Sequence, residues 1–174
     1  KNGFNGIALY DSPFCSGSVI SYFLLMSINR SFCVAPMMKR TDRHFRFLLS
    51  LLSENATLFT EMIHINAINH SQDEKLLKND RIVNPTVLQI GGSNPSDIAK
   101  AVEKSNVHNY CEVNLNVGCP SPKVQSGNFG AVLMKNKDLV KKCIIAIKNS
   151  TDKYVSVKIR LGVDNFDIEN DLND

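Results

Sequence analysis

A chain of 174 residues with 43% hydrophobic and 21% charged residues carries enough apolar side chain for one real core, which excludes a disordered protein. The net charge of +3 is too small to demand a nucleic-acid partner and does not oppose one. Five cysteines, with no CxxC pair and no Cys/His cluster, give neither a disulfide framework nor a zinc site and point to a reducing compartment.

The chain opens on Lys1, so its natural start is expected upstream, and residues 1–30 are expected to form an N-terminal extension. Its apolar run, Tyr22-Phe23-Leu24-Leu25-Met26, is too short to span a bilayer and has no clear small-residue cleavage site. A first strand is predicted at 32–36. Thr41 is the predicted helix N-cap ahead of Asp42, and Phe45, Leu48, Leu49 and Leu52 then recur at helical spacing. A second strand at 58–62 leads into a weakly helical or looped region at 64–77. The third strand, 86–91, is followed by Asn94-Pro95 as N-cap and first helical residue, with Asp97 in the capping-box position. The fourth, 110–117, enters a long polar loop at Cys119. The next helix carries Leu139, Val140, Cys143, Ile144 and Ile147 on one face. A fifth strand is predicted at 154–160, and residues 165–174, rich in Asp and Asn, read as a polar linker or insertion.

Strands alternating with helices require a parallel sheet under helical cover, because parallel neighbours need crossover connections. An open doubly wound sheet and a (β/α)8 barrel both meet that requirement. No GxGxxG follows the first strand, which weakens the dinucleotide-binding open sheet. Polar faces on the fourth and fifth strands favour a TIM barrel with chemistry at its carboxyl ends. A whole barrel needs roughly 200–250 residues. The expectation is therefore an α/β fold of this type truncated to about five βα units, with exposed sheet edges.

On the fourth strand Val113, Leu115 and Val117 share one face, while Glu112, Asn114 and Asn116 share the other. The amide-rich face has to meet water or a hydrogen-bonding ligand. On the fifth, Ser156, Lys158 and Arg160 share a face. They are either solvated cations on a half-exposed antiparallel strand or, in a parallel barrel, inward cations that need an anionic ligand. Gln89 is a core amide or a ligand contact, and Gly91 and Gly92 would let a flat ligand approach the backbone. Cys33, Cys111 and Cys143 fit buried structural thiols. Cys119, between Gly118 and Pro120 in a polar loop, does not. With an ordinary thiol pKa of roughly 8.5 it suits a general acid as well as a nucleophile.

Ala35-Pro36-Met37-Met38 with Thr41-Asp42-Arg43-His44, Thr60-Glu61-Met62, Gln89-Ile90-Gly91-Gly92, the run 114–134, and Val157-Lys158-Ile159-Arg160-Leu161-Gly162 follow one another in this order. Together they resemble the tRNA-dihydrouridine synthases, above all the tRNA-dihydrouridine(20/20a) synthase subgroup. The resemblance implies a flavin-binding barrel over residues 31–164, FMN as cofactor, NADPH as reductant, and reduction of uridine to 5,6-dihydrouridine in the D-loop of tRNA. It implies that Pro36, Met37 and Met38 line the flavin, that Gln89 hydrogen-bonds the isoalloxazine edge, and that Lys158 sits by the N1–C2 carbonyl region to stabilise the anionic reduced ring. Cys119 would give a proton to C5 of uracil. Asn116 and Arg160 would hold the flipped base or its ribose, and Lys123 is a candidate phosphate contact.

Further implications are tRNA as partner, no metal and no membrane, a monomeric full-length protein, and a cytoplasmic location with organellar targeting left open. Lys39-Arg40 stand where the subgroup has an acidic-aromatic pair, and His64-Ile65-Asn66 replace a Thr-Thr-Gly-like stretch. The family's later strands, with a histidine beside the flavin and phosphate-binding loops, and its helical tRNA-binding domain are not in this sequence, so the chain alone is expected to be inactive. Two rival readings are a flavin barrel acting on a free pyrimidine, like the dihydroorotate dehydrogenases, and an inactive truncated RNA-binding remnant.

Overall fold

A computed structural model describes residues 30–160, apart from 80, 81 and 83. The predicted extension before residue 30 and the polar segment 165–174 lie outside the described residues. The strands are β1 (Cys33–Val34), β2 (Thr57–Phe59), β3 (Ile63–His64), β4 (Thr86–Gly91), β5 (Glu112–Asn116) and β6 (Tyr154–Lys158). All their pairings are parallel, in the order β1-β2-β4-β5-β6. β3 pairs with the end of β4 at Ile90 and Gly91, so β2 and β3 together fill one place in the sheet. Their ladder breaks at Thr60, whose hydroxyl accepts from the N–H of Gln89 at 2.9 Å and donates to the Glu61 carbonyl at 2.7 Å. Each strand position lies beside its predecessor in sequence and the order never reverses. Doubly wound sheets reverse at a switch point; barrels do not.

The helices are α1 (Arg43–Leu52), α2 (Ile65–His70), α3 (Pro95–Ser105), α4 (Pro122–Ser126) and α5 (Lys137–Ser150). Single 3-10 turns cover Glu74–Leu77 and Gly130–Lys135. α3 starts as predicted: Asn94 accepts from the N–H groups of Ser96 and Asp97, and Pro95 takes the first helical place. At α1 the cap falls one residue later than predicted. Asp42 accepts from the Phe45 N–H at 2.8 Å, while the buried Thr41 hydroxyl turns back to accept from the Met37 N–H at 3.0 Å. Both residues cap well; the first loop claims Thr41.

Leu88 and Ile90 on β4, with Val113 and Leu115 on β5, pack on Ile98 and Val102 of α3 and on Cys143 and Ile147 of α5. All eight are fully buried, and covering each Leu or Ile is worth about 2 kcal/mol. A smaller cluster joins Ala56, Leu58 and Ile82 to Val34 and Leu49. The apolar stripe predicted on α1 is only partly used. Leu49 packs, but Leu48 and Leu52 are 50% and 73% exposed, and Arg46 is buried with its guanidinium donating to the Thr41 carbonyl at 2.7 Å. α1 follows β1, an outer strand of the sheet, so little described structure stands opposite its stripe.

Candidate active site

Because every strand runs the same way, the segments after β1, β4, β5 and β6 emerge at one end of the sheet. Asn116 and Lys158 are register partners, and Gly118 lies so close to the Ile159–Arg160 backbone that a Cβ there would come within 2.9 Å of it. Asn116, Cys119, Lys158 and Arg160 are thus brought to one mouth, Cys119 partly buried and both cations exposed. Met37 and Met38 are exposed on the first loop and Pro36 is half-buried; Lys123, on α4, faces solvent.

Beneath this mouth the polar faces of β4, β5 and β6 meet one another rather than water. Gln89 donates to the Asn114 carbonyl oxygen at 2.7 Å and accepts from Asn116 Nδ2 at 2.9 Å. Asn114 Nδ2 donates to the Ser156 hydroxyl at 2.7 Å, and that hydroxyl donates to Glu112, which also pairs with Arg30. Gln89 is fully buried, a layer below Asn116. Asn116 Oδ1 accepts from the backbone N–H groups of Gly118 at 3.2 Å and Cys119 at 3.0 Å, so its first visible job is to shape the thiol loop. The Cys119 carbonyl in turn accepts from the Ala131 N–H at 2.9 Å.

The other cysteines divide. Burial pushes the Cys111 thiol up to about 12, with the Glu112 charge adding to it, and pushes Cys143 up to about 11. Both are poor thiolates. Cys33, expected to be buried, is exposed because β1 is an outer strand. Gly91 and Gly92 do not leave room for a flat ligand. A Cβ on Gly91 would stand 2.9 Å from the Met62 sulfur, and one on Gly92 would stand 2.4 Å from Ile65 Cδ1.

Two residues inside the quoted stretches have contacts that the motifs do not give. Glu61 accepts from the Lys39 N–H and holds the first loop where Lys39 adopts φ 59°. His64 stacks edge-on against Phe129, with ring centroids 4.7 Å apart, and its Nδ1 accepts from the Asn66 N–H to cap α2. Burial lowers the His64 pKa below its ordinary 6.5. The neutral ring is thus favoured in the fold, so stability full above 6.5 is lost as pH falls through the lowered folded value. A His64→Asn variant keeps a capping acceptor that does not titrate. Its urea midpoint should fall less between about pH 7 and about pH 5 than that of the parent.

A sequentially wound parallel sheet whose carboxyl ends gather a thiol, an amide and two cations has the arrangement of a barrel mouth. The chain belongs to the dihydrouridine synthase family: the family described as "Dihydrouridine synthase (Dus)" matches residues 33–174. The described units are a partial TIM barrel. The chain is similar to proteins named tRNA-dihydrouridine(20/20a) synthase. That of Shewanella oneidensis is 45% identical over 141 residues, 81% of this chain and 42% of the relative. That of Synechocystis is 46% identical over 139 residues, 80% and 42%. That of Escherichia coli K12 is 45% identical over 136 residues, 78% and 39%. The chain therefore spans about two-fifths of the length of these curated relatives.

Proposed function

We propose that the full-length gene product reduces uridine to 5,6-dihydrouridine in tRNA, with FMN as cofactor, NADPH as reductant and Cys119 as general acid. The carrying observation is the Cys119 loop, fixed by Asn116 at the mouth of a barrel whose relatives are named for this reaction. The donor set suits a flavin. The Asn116 oxygen is taken by the N–H groups of Gly118 and Cys119 and one of its amide hydrogens by Gln89, so its remaining N–H matches the acceptor atoms along a flavin or uracil edge. Pro36, Met37 and Met38 would cover the ring, Gln89 would reach its edge from below, and Lys158 would place a cation beside it. When bound, the flavin supplies hydride for C6 of the base. Cys119 holds the proton destined for C5, Asn116 and Arg160 orient the flipped base, and Lys123 meets phosphate. The proposed location is the cytoplasm, where free thiols stay reduced. Among the described residues no helix is long and apolar enough to cross a membrane.

The test is spectroscopic. Purified full-length protein should show a flavin absorbance band that NADPH bleaches and unmodified tRNA restores. Deleting the gene should remove dihydrouridine from the D-loop. Restoration by a free pyrimidine instead of tRNA would overturn the substrate assignment.

A further inference from the structure

We propose that Glu112, at the far end of β5 from the thiol, is a positioning residue that sets the Cys119 loop through a one-way chain of hydrogen bonds. The backbone N–H groups of Gly118 and Cys119 donate to Asn116; Asn116 donates to Gln89, Gln89 to Asn114, Asn114 to Ser156, and Ser156 to Glu112. Every bond points the same way. An amide or hydroxyl within such a chain can face either direction, but a backbone N–H only donates and a carboxylate only accepts. Both ends are therefore fixed, and the three amides and one hydroxyl between them have one consistent orientation. Gln89 and Glu112 are fully buried, and Asn114 and Ser156 nearly so, so no water competes for the links. Arg30 compensates the carboxylate charge from the segment ahead of β1.

This polarity has a chemical result. It commits the Asn116 oxygen to the thiol loop and leaves that amide to meet a ligand through its remaining N–H. Glu112→Gln preserves shape but removes the fixed acceptor. The new amide can donate to Ser156 and reverse the chain, which would turn the Asn116 NH2 toward the N–H groups of Gly118 and Cys119. Those three donor groups would repel, and the loop would loosen. The functional weight of this inference rests on Cys119 being the reacting thiol; the geometry does not.

Cys119 itself is the reporter. Full-length protein without tRNA is treated with iodoacetamide, and labelling of each cysteine is followed by peptide mass spectrometry. Glu112→Gln and Ser156→Ala should each raise the rate at Cys119 by about tenfold, the worth of one hydrogen bond involving a charged group, while buried Cys143 stays protected. Turnover should fall through kcat, with KM for tRNA little changed. Unchanged Cys119 labelling in both variants overturns the proposal. Should Glu112→Gln also open Cys143, that variant has lost its fold, and Ser156→Ala, which removes a single oxygen atom, decides. A parent protein that forms no dihydrouridine would defeat the functional reading and leave the labelling result intact.

Discussion

A Cys119→Ala variant of the full-length protein is expected to bind flavin normally and to form dihydrouridine about a hundred- to ten-thousand-fold more slowly, the range over which a positioned general acid contributes. The fold should survive because the backbone, not the thiol, makes the residue's visible bonds. Its N–H goes to Asn116 and its carbonyl to Ala131, and Ala keeps both. Only the sulfur leaves. Single-turnover assays, in which the flavin is first reduced and tRNA is then added, separate this step from reduction by NADPH. Flavin reduction should run at the parent rate while reoxidation by tRNA stalls. Equal reoxidation rates in the two proteins would remove Cys119 from the chemistry.

Gly130→Ala should damage the same loop from the other side. Gly130 has φ +70°, a left-handed conformation that costs other residues about 1–2 kcal/mol. The added Cβ would also stand 2.4 Å from Val124 Cγ1 and 2.7 Å from the Cys119 carbonyl oxygen. The side chain can yield, but the carbonyl is held by Ala131. The combined loss should be about 3 kcal/mol, read as a lower urea midpoint with unchanged slope. Adding Val124→Ala should recover part of it, since that change relieves the first clash and leaves the second and the backbone strain. A double variant as stable as the parent would mean that the carbonyl contact does not constrain the loop.

Much of the fold was legible in the sequence because its elements are long, periodic and separated by turn chemistry. The strands β4, β5 and β6 fall inside the predicted 86–91, 110–117 and 154–160, and Asn94-Pro95 marked the start of α3 without ambiguity. The stripe on α1 misled, since Leu48 and Leu52 satisfy helical spacing whether or not anything covers them. Periodicity names a face, not its partner. At the site, alternation on β5 correctly separated Glu112, Asn114 and Asn116 from the apolar face, but it could not say that the amides bind one another, because those links join residues 25 and 27 positions apart. Gly91 and Gly92 suggest room for a ligand by residue type alone, whereas Met62 and Ile65 occupy that room. Arg30 gave no signal at all. A lone arginine ahead of a strand has no pattern to belong to, and its role appears only when Glu112 is found buried beneath it.

The winding order of the sheet also bears on how the chain can carry so long an excursion around its thiol. Strands β4 and β5 are paired across 25 residues, whereas β5 and β6 are paired across 42, and the difference is taken up by the segment that includes Cys119, α4 and Gly130. The entropy of bringing two strands together grows only with the logarithm of the chain between them, so the longer crossover costs about 0.5 kcal/mol more than the shorter one. A barrel assembled from neighbours in sequence can therefore lengthen one connection at its rim almost freely, and this one has done so where the chemistry is proposed.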